Sequence, residues 1–178
     1  MSRLFCRGDE PKLKGVNDLP RIEITTVAFL QNQWFRSPEK IRRIYEKHPG
    51  RRQQLIKGFL FMGCLTGRRL KAAFGDGVEQ IIWEEVSTEI GGKSSSKFRA
   101  DPEHIESVIQ KFKPNIVLTF GSIATKAIQD FEGSMFSRSV IFQWCAGPHP
   151  TARYADVNQK LNKVATWWKD IRKGGDAH

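Results

Sequence analysis

Asn115-Ile116-Val117-Leu118-Thr119-Phe120-Gly121-Ser122 is the stretch whose reading decides the fold. Residues 115–120 are dominated by β-branched and apolar side chains, which marks a strand. Gly121 and Ser122 end that strand and open a helix running to about Asp130. A strand that passes through a glycine turn into a helix is the repeating unit of parallel sheets.

The same alternation extends in both directions. Ile22 to Leu30 (IEITTVAFL) reads as a first, buried strand, Gly77 to Trp83 contains a second (VEQIIW), and Val140 to Trp144 is a fourth. Ser37-Pro38-Glu39 starts a helix, with Ser37 as cap and Pro38 in the first turn, and Pro49-Gly50 stops it near His48. Asp101-Pro102-Glu103 opens another helix that ends near Phe112, and a last one runs from about Asp156 to Arg172. This order predicts a parallel or mostly parallel sheet between helical layers. In such sheets ligands sit at the carboxyl ends of the strands, so the segments that follow each strand carry the function.

Length and composition bound the answer. A chain of 178 residues with 39% hydrophobic residues suits one domain with a real core, preceded by an arm over residues 1–20. Lys and Arg number 29 against 19 Asp and Glu, a formal charge of +10, which is the electrostatic footprint of a nucleic-acid binder. No apolar run reaches the length of a membrane span, and Met1 to Gly8 lacks the apolar stretch of a secretory signal. Cys6, Cys64 and Cys145 lie far apart, which argues against a disulfide framework and against a zinc site. The expectation is an intracellular, cytoplasmic protein in a reducing compartment.

Four segments at strand ends, and one before the second strand, carry the chemistry. Leu30-Gln31-Asn32-Gln33-Trp34-Phe35 loads a strand end with amides and aromatics. Gly147-Pro148-His149-Pro150-Thr151-Ala152-Arg153 holds a histidine between prolines, whose rings restrict the backbone on both sides. Gly121-Ser122 suits phosphate, because glycine admits close backbone approach and helix-start amides favour an anion. Gly58-Phe59-Leu60-Phe61 offers an aromatic, which a core would also want. Ile81-Ile82-Trp83-Glu84-Glu85 ends a strand on two carboxylates, whose plain alternative is a solvent-facing pair.

Taken together, these segments resemble the uracil-DNA glycosylase superfamily, over roughly residues 22–168. Gln31-Asn32-Gln33-Trp34 is similar to its first motif, Gly-Gln-Asp-Pro-Tyr-His, with Leu30 and Gln33 departing from the Gly and the Pro. His149-Pro150 is similar to its last motif, His-Pro-Ser-Pro. An Asn in the first with an Arg in the last is the pattern of the single-strand-selective monofunctional branch. Branches that hold a four-cysteine iron–sulfur cluster do not fit three cysteines.

The resemblance implies a three-layer α/β/α fold around a short, mainly parallel four-stranded sheet. It implies hydrolysis of an N-glycosidic bond in DNA by a monomer, without metal or cofactor. Asn32 would orient water, and His149 would bond the departing base. Gln31, Trp34 and Phe61 would line the base pocket. Arg153 would fill the hole left by the flipped nucleotide. Gly121, Ser122, Lys93 and Ser94 of the 91–97 loop, and Arg42, Arg43, Arg51 and Arg52 would meet phosphates.

Glu84 falls where the family places a base-reading Asn, with Glu85 beside it. A carboxylate accepts only, which suits the exocyclic amine of cytosine and points to a bulky modified cytosine in phage DNA and a role in host defence. The alternatives are repair of uracil or oxidised uracil, and a non-catalytic DNA-binding relative.

Overall fold

The structure, a computed structural model, describes residues 23–31, 38–91, 99–133 and 141–174. Its elements run β1 (Thr26–Leu30), α1 (Pro38–Lys47), α2 (Arg52–Phe61), α3 (Leu65–Phe74), β2 (Ile81–Glu85), α4 (Pro102–Phe112), β3 (Ile116–Phe120), α5 (Ser122–Glu132), β4 (Gln143–Gly147) and α6 (Val157–Gly174). The strands form one sheet in the order β2-β1-β3-β4, and every pairing is parallel. The expected α/β architecture is therefore present.

The pleat sorts the strand residues into two cores, because alternate side chains point to opposite faces. On one face Ala28, Leu30, Trp83, Leu118 and Phe120 pack against Leu60 of α2, Phe74 of α3 and Trp168 of α6. On the other face Val27, Phe29 and Val117 pack against Ile105 and Ile109 of α4 and Ile128 of α5. Burial on both faces is why β1 and β3 read as continuous apolar runs. The helix over α4 begins as its sequence predicts: the Asp101 carboxylate accepts from the His104 amide at 3.1 Å, and Pro102 sits in the first turn.

Three local expectations change. Residues Gly75–Gln80 form a 3-10 turn, so β2 starts at Ile81 and the VEQ segment is not strand. The turn is fixed by side chains distant from its own backbone ladder: Val78 is buried, and its carbonyl accepts from the Trp83 indole at 2.9 Å. β4 is Gln143–Gly147 rather than 140–144, displaced toward the loop that carries His149. It is an edge strand and only partly buried, which weakens its apolar signal. Residues 52–74, to which the sequence reading assigns no helix, form α2 and α3. No long helix among the described residues is apolar enough to cross a membrane.

Candidate nucleic-acid interface

The ladder aligns the carboxyl ends of all four strands. Leu30 pairs with Glu85 and with Phe120, and Phe120 pairs with Gly147. One step further the chain presents Gln31 after β1 and Gly121 after β3, and two steps further His149 after β4. These three meet. A Cβ built on Gly121 would stand 3.3 Å from the Gln31 side-chain oxygen and 3.3 Å from the His149 Cβ. The Gly121 amide donates to the Gly147 carbonyl at 3.0 Å, which ties the start of α5 to the end of β4.

Gly121 has φ 100° and ψ 157°, a region that L side chains rarely enter. Gly121→Ala is expected to cost about 1–3 kcal/mol from that strain. An unchanged urea midpoint would show that the turn relaxes freely.

His149 is held by its own loop. The Thr151 amide donates to Nδ1 at 3.2 Å, and the Thr151 hydroxyl lies 2.7 Å from the same atom. A backbone amide can only donate, so Nδ1 is an acceptor and the ring proton sits on Nε2. Burial pushes the His149 pKa down, which keeps the ring neutral at pH 7. Arg69 of α3 donates to the Pro150 and Ala152 carbonyls, pinning the loop from outside. The histidine is thus a neutral, positioned hydrogen-bond donor at the end of β4.

At the opposite edge of the sheet the two glutamates are occupied. Glu84 is fully buried. Its Oε1 accepts from Arg52 Nε at 2.8 Å and from the Glu85 amide at 3.0 Å, and its Oε2 accepts from Gln53 at 2.9 Å. Arg52 also donates to Glu85 Oε2 at 3.3 Å and to the Ser87 carbonyl at 2.9 Å. His104 Nε2 lies 3.5 Å from Glu84 Oε1, long for a hydrogen bond, so Arg52 is the dominant cationic partner. Burial alone would raise the Glu84 pKa. The nearby His104, the Arg52 charge and the Glu85 amide outweigh it and hold the carboxyl below its ordinary value.

Two assignments are corrected by this cluster. Glu84 is fully buried and each of its oxygens already accepts from a protein donor, so it is turned inward rather than toward a base edge. Arg52 is not a phosphate-binding cation, because its guanidinium is committed to two carboxylates and a carbonyl. Glu85, buried and bonded to Arg52, shares the cluster rather than a reading pocket. Phe61 is half-buried and packs edge-on to Trp83 at 5.6 Å, within the core layer. That contact gives the ring a packing role.

The other assigned residues divide as follows. Ser122 is exposed at the start of α5. Arg43, Arg51 and Arg153 are exposed and form no ion pair among the described residues. Arg42 reaches the Ile90 carbonyl at 3.4 Å and stands 3.9 Å from Glu39. Asn32, Trp34, Lys93 and Ser94 lie outside the described residues. Sequence reasoning missed Arg69, Gln53 and His104, whose partners are distant in the chain, and the role of Thr151, which bonds the His149 ring two residues away.

No family model matches the chain. Among curated proteins it is similar to the nucleoprotein of rat coronavirus (strain 681), 26% identical over 117 residues, which is 66% of this chain and 25% of that protein. It is similar also to the nucleoproteins of murine coronavirus strains A59 and 3, each 25% identical over 117 residues with the same coverage. The chain thus spans about a quarter of the length of the curated relatives it matches. These relatives overturn the expectation of a DNA glycosylase, whether directed at modified cytosine in host defence or at uracil in repair. They are nucleoproteins and not hydrolases by name. The inward-turned, buried Glu84 removes the residue on which the cytosine reading stood.

Proposed function

We propose that this chain is a nucleic-acid-binding protein that engages the phosphodiester backbone along the carboxyl edge of its sheet. The observation that carries the reading is where the uncommitted cations sit. Arg51 precedes Arg52, which is anchored on the end of β2 through Glu84 and Glu85. Arg68 precedes Arg69, which is anchored on the loop after β4. Arg153 lies in that same loop. Arg51, Arg68 and Arg153 are exposed and form no ion pair among the described residues, so cations border both ends of the strand-end row. The net charge of +10 adds a long-range attraction for polyanions.

The match to coronavirus nucleoproteins supports the same class of partner. Phosphate contact is indifferent to base identity, which agrees with a carboxylate pair turned inward rather than toward a base.

Salt titration tests the reading. If about four phosphates are neutralised, affinity for DNA or RNA oligonucleotides should fall about a hundredfold between 50 and 200 mM salt. Changing Arg43, Arg51, Arg68 and Arg153 together to glutamine should flatten that slope. Absence of binding at low salt, or a slope that the quadruple variant leaves unchanged, would overturn the proposal. Running DNA and RNA side by side reads which sugar is preferred.

A further inference from the structure

We propose that Tyr154 is a stacking platform for an unpaired base, which makes single-stranded nucleic acid the preferred partner; this rests on the nucleic-acid reading above. Tyr154 is 58% exposed, although tyrosine carries a large apolar ring. It follows Arg153 directly, so an aromatic and an uncommitted cation stand together at the end of the strand row. That pairing of ring and charge is what single-strand binding uses, since every base has a face to stack and every nucleotide a phosphate to pair.

The surroundings hold the ring in place. The loop is pinned by Arg69 to the Pro150 and Ala152 carbonyls and by the Ala152 amide to the His149 carbonyl at 2.8 Å. Pro150 is buried. On the other side the Val157 amide reaches the Tyr154 carbonyl at 3.4 Å, leading into α6. Lys160 Nζ stands 5.3 Å from the ring centroid and is itself held by Asp156 at 3.0 Å. The exposed Lys160 ammonium stands over one side of the ring and leaves the exposed remainder available. The Tyr154 hydroxyl makes no hydrogen bond among the described residues, so the group does not serve internal polar satisfaction. An exposed ring on a pinned loop loses little conformational entropy on binding, which favours stacking.

Anisotropy titration tests this with the full chain and three probes: a single-stranded oligonucleotide, the matching duplex, and inorganic polyphosphate. Tyr154→Ala should weaken single-strand binding about tenfold while leaving duplex and polyphosphate binding within about twofold, because neither offers a free base face. Tyr154→Phe should retain single-strand affinity, since the ring and not the hydroxyl is used. Equal losses on all three probes, or no loss on the single strand, would overturn the inference while the nucleic-acid reading stands. Failure of the unmodified protein to bind any of the three would overturn both.

Discussion

Arg52→Ala is expected to destabilise the protein by about 3–5 kcal/mol, because it leaves Glu84 buried, charged and without its cation. Glu84 is fully buried, and Arg52 also serves Glu85 and the Ser87 carbonyl. Removing one side chain therefore takes a donor from three acceptors at once. The pH dependence supplies a second readout. In the intact protein the Glu84 pKa lies below its ordinary value near 4.5. A depressed carboxylate contributes stability that is fully present above the unfolded value and is lost as pH falls through the folded one.

Without Arg52 one of the contributions that offset burial is gone, so the folded pKa of Glu84 moves up. The loss of stability that the intact protein shows as pH falls below the ordinary value of 4.5 should then shrink in the variant. Urea denaturation at neutral pH and again below that value measures both effects. Replacing the cluster jointly, as Arg52→Met with Glu84→Leu, should recover most of the loss, because apolar pairs of similar volume replace buried ion pairs at little cost. A loss below 1 kcal/mol for Arg52→Ala, with unchanged pH dependence, would show the cluster to be wetter than its burial indicates.

Trp168→Ala is expected to cost about 3–5 kcal/mol by opening a cavity under α6. Trp168 is 2% exposed and lies against Phe74 with ring centroids 5.6 Å apart. Its indole donates to the Thr26 hydroxyl at 3.0 Å, a bond from the last helix to the first strand. The ring fills the space beside Gly77, where a Cβ would come within 2.6 Å of it. The residue thus ties α6, α3, β1 and the 75–80 turn together. Trp168→Phe keeps most of the volume but leaves the buried Thr26 hydroxyl without that donor, a cost of about 1–3 kcal/mol. Thermal or urea unfolding ranks the two. If alanine and phenylalanine are equally damaging, the hydrogen bond and not the packed volume dominates.

The motif reading succeeded where chemistry is local and failed where it is not. Gly121-Ser122 and His149 stand at strand ends, as their segments predict, because a glycine turn and a proline-bounded loop are specified by a few adjacent residues. Glu84 illustrates the failure. Its position after the apolar run of β2 is legible, but whether it faces a ligand or an internal cation is decided by Arg52 and Gln53, more than thirty residues earlier in the chain. Arg51 and Arg52 are indistinguishable as sequence symbols. One is exposed and the other is half-buried in an ion pair, because the first turn of α2 aims only the second at the end of β2. The short segments that resemble glycosylase motifs locate strand ends, and an activity requires the side chains there to be unoccupied.

By itself the sequence determined the α/β class, the order of strands and helices around β1, β3, α4 and α5, and the strongly basic charge. Periodicity, capping residues and composition act over a few residues or over the whole chain, and both scales are visible in one dimension. Only the tertiary structure decided the strand order β2-β1-β3-β4, the helices α2 and α3 whose apolar faces are set by what they cover, and the fate of each ionisable group. A carboxylate becomes a ligand contact or a structural anchor according to which donors the fold brings within about 3 Å, and that distance is a property of packing, not of position in the chain.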